Sequence, residues 1–477
     1  MKFELKKEAG KDGVTVKFVE GSISKFVEKD GASELCVGFG KKENVPLSRR
    51  RAVLFLRKIV ATAKTHKLKS LAVSWEEVRG MVTPEISDAS LGEMLSVAFL
   101  MADFEFVTYK KKPADGFAFV ETVFVKGATA EAIAGIRRGE IVGAEVNGCR
   151  MLANTPGGDM TPKKLAAAAK AAVKGTTATV KVLGEKEMEK LGMGAVLGVG
   201  MGSLEESQFI ILEYPGAAAK TGGKKTPIEK QKPLVLIGKG VTFDSGGLSL
   251  KPADSMTEMH LDMSGGAAVI HAIALAAKLG LATPIVGLIP AVENMPSGAA
   301  TRPCDMLKSM SGRTIEVLNT DAEGRVILAD AITYAKRYDP RLVVECSTLT
   351  GASVVALGFQ ASAMMTNSQC EECTIRTMRL GEESGDYVWP FPLWEEYEEM
   401  VKSDFGDVAN IPNSGYSRRA GVIGGGMFLR EFAKDLACEF IHLDIAPRMT
   451  AAPGEHLAKG AAGAPVRLLL AMAENAK

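Results

Sequence analysis

Histidine is scarce in this chain. Five occur in 477 residues, and no His-Glu-x-x-His is formed among them. That excludes the common zinc-protease helix, in which two imidazoles one turn apart grip the ion. Cysteine offers no framework either: seven residues, an odd number at irregular spacings, suit a reducing compartment better than a disulfide-stapled domain. The Cys-x-x-Cys at 370–373 has no partner pair, so neither a structural zinc nor a redox role is read from it. No stretch approaches the roughly 18 uninterrupted apolar residues of a membrane span. The opening MKFELKKEAGKDG lacks the apolar core of a secretory signal, and no Asn-x-Ser/Thr acceptor occurs. These absences predict a cytoplasmic protein with no membrane partner.

Phosphate-binding loops are missing as well. GVGMGS (198–203) stops short of Gly-x-Gly-x-x-Gly, and there is no Gly-x-x-x-x-Gly-Lys-Ser/Thr. Charge of one sign does not dominate, since the net is +1. Residues 1–128 carry 22 Lys+Arg against 17 Asp+Glu, a mild basic excess, and SRRR (48–51) and YKKK (109–112) read as solvated faces. A nucleic-acid-binding role through this N-terminal part is kept as an alternative with weak support, and nucleic acid is not the expected partner.

What the chain does have is alternation. Its length predicts two or three domains. Within 1–128, VTVKFV, LCVGF, LAVSW and GFAFVETVFV read as strands around the helical SRRRAVLFLRKIVATAKTH, a small N-terminal α/β domain. Residues 129–154 read as an Ala-rich connecting helix that stops at TPGGDMTP. From 155 to 477, apolar runs at 179–184, 208–214, 233–238, 283–290, 341–347 and 439–445 alternate with helical segments at 265–280, 325–338 and from 352. The fold class is therefore α/β with two domains, the larger holding a mixed, largely parallel sheet covered by helices. Ligands in such sheets bind beyond the carboxyl ends of the strands.

Ionisable residues gather at those ends. KGVTFDSGGLSLK carries Lys239, Asp244 and Lys251; MHLDMSGGAA carries Asp262; IEVLNTDAEGR carries Asp321, Glu323 and Arg325. Singly, each acid reads first as a helix cap or a surface group, and Asp262 in particular precedes a helix. Jointly, four carboxylates at one sheet edge repel one another unless cations neutralise them. Two divalent ions roughly 3.5–4 Å apart would balance their charge and activate a bridging water at a pKa near 7. Lys251 or Arg325 is then left for the developing oxyanion. A two-metal phosphoesterase would use a similar cluster, but it would want more cations. His260 beside Asp262 is not taken as a ligand, and His442 reads as a satisfied core histidine.

NTDAEGRVILADA resembles the signature of the cytosolic leucine aminopeptidase family. GKGVTFDSGGLSLKPA, ENMPSG, TLTGASVVALG, NTPGGDMTP and HLDIA…KGAAGAPVRLL are similar to its other motifs in the same order, over about 128–477. The resemblance implies a metallo-exopeptidase that releases N-terminal Leu and other apolar residues from peptides. It implies one metal bound by Asp244, Asp321 and Glu323, and a tighter one bound by Lys239, Asp244, Asp262 and Glu323. The metals would be zinc or manganese, with cobalt or magnesium as alternatives. Lys251 would polarise the scissile carbonyl, and Arg325 would hold a bicarbonate ion as general base. Met259, Thr348, Gly351, Ala446 and Met449 would line the pocket for the first side chain, with the Leu349 main chain positioning the substrate. A homohexamer of two stacked trimers is implied too. Two departures stand out: DMSGGAA is one residue longer than the family pattern after Asp262, and Pro447–Arg448 follow HLDIA where a small residue is commoner.

Overall fold

Short apolar runs broken by glycine and charge make short strands, and six of them form the first sheet. The computed structural model describes residues 1–6, 13–29, 32–217, 227–367, 371–412 and 419–476. β1 (Lys2–Lys6), β2 (Val14–Val19), β3 (Lys25–Lys29), β4 (Ala32–Gly38), β5 (Ser70–Ser74) and β6 (Thr122–Lys126) lie in the order β1-β6-β5-β2-β4-β3. All neighbours are parallel except β3 and β4. The helix Arg49–Thr65 covers this sheet with Ala52, Phe55, Leu56, Ile59, Val60 and Ala63, a stripe at helical spacing. Two sequence readings shorten here. Trp75 opens a helix because Ser74 caps it, accepting from the Glu77 amide, and the last strand begins only at Thr122.

Ala130–Ala153 form one helix. The chain clusters into one unit of Met1–Asn147 with Ala451–Lys459, and a second of Gly148–Thr450 with Gly460–Lys477. The division falls inside this helix because most of it packs with the first unit. Gly92 and Gly135 let it press on the helix Asp88–Asp103: a Cβ on either would lie 2.3 or 2.0 Å from a carbonyl oxygen of the facing helix.

The second unit adds β7 (Thr179–Leu183), β8 (Gln208–Tyr214), β9 (Leu234–Gly238), β10 (Gly240–Asp244), β11 (Ile285–Asn294), β12 (Met306–Lys308), β13 (Thr314–Glu316), β14 (Leu342–Ser347), β15 (Ser362–Thr366), β16 (Val388–Pro390), β17 (Val408–Ala409) and β18 (Glu439–Asp444). Nine form one mixed sheet in the order β16-β15-β18-β14-β9-β11-β8-β7, with β10 paired to β11. β18, β14, β9, β11 and β10 run parallel. Every residue of β9 and β14 is buried, as strands covered on both faces must be. A Cβ on Gly287 in β11 would lie 2.5 Å from Ile273 and 2.9 Å from Val269 of the helix Ser264–Leu279. Its neighbours Val286 and Leu288 face the opposite way, into a core with Val326, Ile332 and Phe428. Met259–Leu279 is long and apolar enough to cross a membrane by composition, but 89% of its apolar window is buried within the protein.

Two buried acids hold this unit internally. Glu345 and His442 are register partners on β14 and β18, both fully buried and joined through Nδ1. The core histidine is thus satisfied at one nitrogen, while its Nε2 has no hydrogen-bond partner among the described residues. Asp330, on the helix Glu323–Ala335, accepts from the amides of Ala195 and Val196 at 3.0 Å each and of Met310 at 2.7 Å. Burial pushes its carboxyl up to about 7, against those three bonds. Asp330→Ala strands three amides, two of them buried, so unfolding free energy should drop by about 3 kcal/mol, read as a lower urea midpoint. An unchanged midpoint would show that water satisfies those amides.

Candidate metal centre

The carboxyl ends of the parallel strands supply most of the site. β9 passes directly into Lys239, β10 ends at Asp244, β11 ends at Asn294, β14 runs into Thr348, and β18 ends at Asp444. Asp262 sits in the 3₁₀ turn Met259–Met263 that leads into the helix Ser264–Leu279. That helix begins against the strand ends because Gly265 permits it. A Cβ there would lie 2.2 Å from the Cys346 carbonyl oxygen. The glycine pair in DMSGGAA is therefore accommodated in the helix's first turn, with Asp262 buried just before it.

Asp321 and Glu323 arrive by another route. The short run before them does not enter the large sheet; β13 pairs with β12 and β17 in a separate three-stranded sheet. Side chains draw the loop back. Asn294 Nδ2 donates to the Thr320 carbonyl at 3.0 Å, and Thr320 Oγ1 accepts from the Ser249 amide at 2.8 Å. Asn410 accepts from the Leu318 amide at 2.8 Å and donates to the Asn319 carbonyl at 2.6 Å. Gly324 then lets the loop close on Lys239, since a Cβ there would meet Lys239 Nζ at 2.6 Å.

Asp244, Asp262 and Glu323 are buried, with oxygens within 4.8 Å of one another. Lys239 Nζ lies 2.8 Å from Asp262 Oδ2 and 2.7 Å from Glu323 Oε1, and donates to the Thr348 carbonyl at 3.0 Å. Lys251 Nζ lies 2.8 Å from Asp244 Oδ2 and 2.5 Å from Asp321 Oδ1. Asp321 stands outside the tight trio and is tied to it through Lys251. Burial, reinforced by the crowded carboxylates, raises the Asp262 pKa well above the ordinary aspartate value despite Lys239, and raises Asp244 as well. Burial would lower Lys239, but Asp262, Glu323 and Asp244 outweigh it and hold the ammonium above the usual lysine value. Four acids against two lysines leave excess negative charge, which a cation would neutralise. The buried oxygens Asp262 Oδ2, Asp321 Oδ1 and Glu323 Oε1 meet lysine ammoniums rather than hydrogen-bond donors in good geometry. Hard oxygen donors with one amine fit manganese, magnesium or zinc.

Arg325 follows on the helix that Glu323 opens and is buried. Burial lowers its pKa to about 10, with Glu323 and Asp444 opposing, so it remains a cation at neutral pH. Its Nε has no hydrogen-bond partner among the described residues, leaving a donor for an anion. Thr348 is buried, and its hydroxyl donates to Asp262 Oδ1 at 2.6 Å. Leu349 and Ala446 are half-buried and both donate backbone amides to Asp444. Met259 opens the turn that carries Asp262, Gly351 opens the helix Gly351–Leu357 and is exposed, and Met449 ends the turn after β18 half-buried. Pro447 and Arg448 are buried, with Arg448 donating to the Phe359 carbonyl at 2.5 Å. His260 is half-buried outside the cluster; Cys370 lies outside the described residues.

A model of the cytosol aminopeptidase family, catalytic domain, matches residues 147–470. The chain belongs to that family. A probable cytosol aminopeptidase of Roseiflexus castenholzii is 40% identical over 91% of this chain and 86% of its own. One of Chlorobium limicola is 37% identical over 97% and 92%. Among solved structures, the bottromycin maturation enzyme BotP superimposes with a TM-score of 0.80 at 27% identity, over 97% of this chain and 99% of that one. The same enzyme in complex with Mn gives 0.81 at 27%, over 97% and 98%. The chain is thus a hydrolase, a metal-dependent aminopeptidase.

Sequence reasoning passed over Asn294, though ENMPSG contains it. Its Nδ2 donates to Asp244 Oδ1 at 2.8 Å while also holding the Thr320 carbonyl, so one amide orients an acid and its neighbouring loop. The only signal was an asparagine ending an apolar strand. Because such outer partners tune metal affinity, Asn294→Ala in this aminopeptidase should weaken Mn²⁺ binding about 10- to 100-fold, measured by calorimetry. Unaltered affinity would mean that Asp244 needs no orienting partner.

Proposed function

We propose that this aminopeptidase works through a two-metal centre and prefers peptides beginning with Leu or another apolar residue. The observation that carries the proposal is the buried trio Asp244, Asp262 and Glu323 within 4.8 Å, with Lys239, Lys251, Asp321 and Arg325 around it. Asp244, Asp321 and Glu323 would hold one ion; Lys239, Asp244, Asp262 and Glu323 would hold the other. Zinc or manganese suits the set, with cobalt or magnesium as alternatives. When bound, the ions supply Lewis acidity and hydrolytic water activated near neutral pH. To serve as a ligand, Lys239 would have to lose a proton from the ammonium that now faces Asp262 and Glu323.

Lys251 has to leave Asp244 and Asp321 to donate to the scissile carbonyl oxygen, where negative charge develops. Arg325, with its open Nε, would hold bicarbonate, the base that takes a proton from attacking water. A free α-amine entering on the Lys239 side restricts cleavage to the first residue. Met259, Thr348, Gly351, Ala446 and Met449 would receive the first side chain, and the Leu349 main chain would align the peptide. Such an apolar pocket separates similar side chains by only about 1–3 kcal/mol per methylene. Residues 1–128, the 129–154 helix and 155–477 would serve as N-terminal domain, connector and catalytic domain in a cytoplasmic enzyme.

After chelation, restoring single metals and assaying Leu-, Arg- and Glu-anilides should return activity fastest on Leu, with none on an N-acetylated control. Equal rates on all three anilides would defeat the side-chain preference. In the same assay Glu323→Ala should lose both metal and activity. Lys251→Ala should keep its metal and lose kcat by about 100-fold or more, and metal loss in that variant would place Lys251 among the ligands.

The family resemblance carries a homohexamer of two stacked trimers, whose enclosed sites would admit unfolded peptides and exclude folded proteins. Light scattering should return about six times the 50.6 kDa chain mass, and a fully active monomer would overturn the assembly.

A further inference from the structure

Asp444 closes β18 and is fully buried, yet the chemistry above gives it no part. Its carboxylate serves three donors from two loops. Oδ1 accepts from the Leu349 amide at 3.1 Å and the Ala446 amide at 3.2 Å; Oδ2 accepts from the Thr350 hydroxyl at 2.6 Å. The bond to Ala446, two residues on, is an ordinary aspartate turn. The other two cross to the loop after β14, whose last residue Ser347 is the register partner of Asp444. A local turn explains the first bond and not the others.

Arg325 belongs to the same space. A Cβ placed on Gly425 would meet Leu349 Cδ2 at 3.0 Å, Thr350 Cγ2 at 3.2 Å and Arg325 Nη2 at 3.7 Å. The glycine therefore brings the helix Gly421–Ala433 down on all three. Burying a carboxylate is costly. Here three hydrogen bonds to the charged group and the nearby guanidinium offset that cost.

We infer that Asp444 is a positioning residue, which sets the spacing between the Leu349–Thr350 and Ala446 segments and thereby the selectivity for the substrate's first side chain. The inference rests on the pocket assigned above. It requires no contact between Asp444 and the peptide: the carboxylate acts through the two backbone segments, holding them at one separation before substrate arrives.

The test uses the metal-loaded enzyme and compares Leu- with Ala-anilide. Asp444→Ala should lower kcat/KM on Leu by about 100-fold and shrink the Leu-over-Ala preference about tenfold, at unchanged metal content. Asp444→Asn, which keeps the size and one accepting oxygen, should retain the preference within about threefold. If Asp444→Ala does not fold, Thr350→Val removes one cross-loop bond and should erode the preference, whereas Thr350→Ser keeps the hydroxyl and should preserve it. A preference that survives Asp444→Ala, or Thr350→Val in its place, overturns the inference alone. A wild-type enzyme that does not distinguish Leu from Ala overturns the pocket reading and this inference with it.

Discussion

Concentrated negative charge at the carboxyl edge of a parallel sheet is the condition around which the catalytic unit is arranged. Asp244, Asp262 and Glu323 are buried within 4.8 Å of one another, and burial with the crowded carboxylates disfavours ionisation of Asp244 and Asp262. Two lysines answer part of that charge, each bridging a pair of acids. The remainder is what makes the place a cation site. Lys239 ties Asp262 to Glu323, and Lys251 ties Asp244 to Asp321.

Bringing the acids together needs backbones closer than side chains normally allow. Gly265 sets the helix carrying Asp262 against the strand ends, and Gly324 lets the loop bearing Asp321 and Glu323 reach Lys239. The asparagines then do what charge cannot. Asn294 and Asn410 pin the 318–320 backbone through hydrogen bonds that specify direction as well as distance. Asp444 extends the same logic to the peptide side, joining loops from β14 and β18. Charge supplies the attraction, glycine the approach, and amide geometry the register.

The large sheet was legible because β9 is a continuous apolar run and β14 a largely apolar one between helical segments, the pattern of strands buried on both faces. The carboxylate cluster was legible because strand order places Lys239, Asp244 and Asp262 at one edge. Three things were not legible. The run before Asp321 does not enter that sheet: β13 pairs with β12 and β17, and a three-residue strand carries no mark of which sheet it joins. The 451–459 stretch belongs to the first unit, a return that no local pattern records. Asn294 and Asp444 were overlooked because a neutral amide or a lone acid at a strand end has many ordinary uses.

Local chemistry in the sequence determined which residues are strands, which are helices, and which ionisable groups sit at their ends, because periodicity and glycine act over a few residues. Only the tertiary structure decided which acid meets which lysine, that Asp321 stands apart from the tight trio, and that Thr348 and Asn294 each orient an acid. Those outcomes depend on ångström-scale distances between segments many residues apart. They emerge when packing, rather than local pattern, selects the partners.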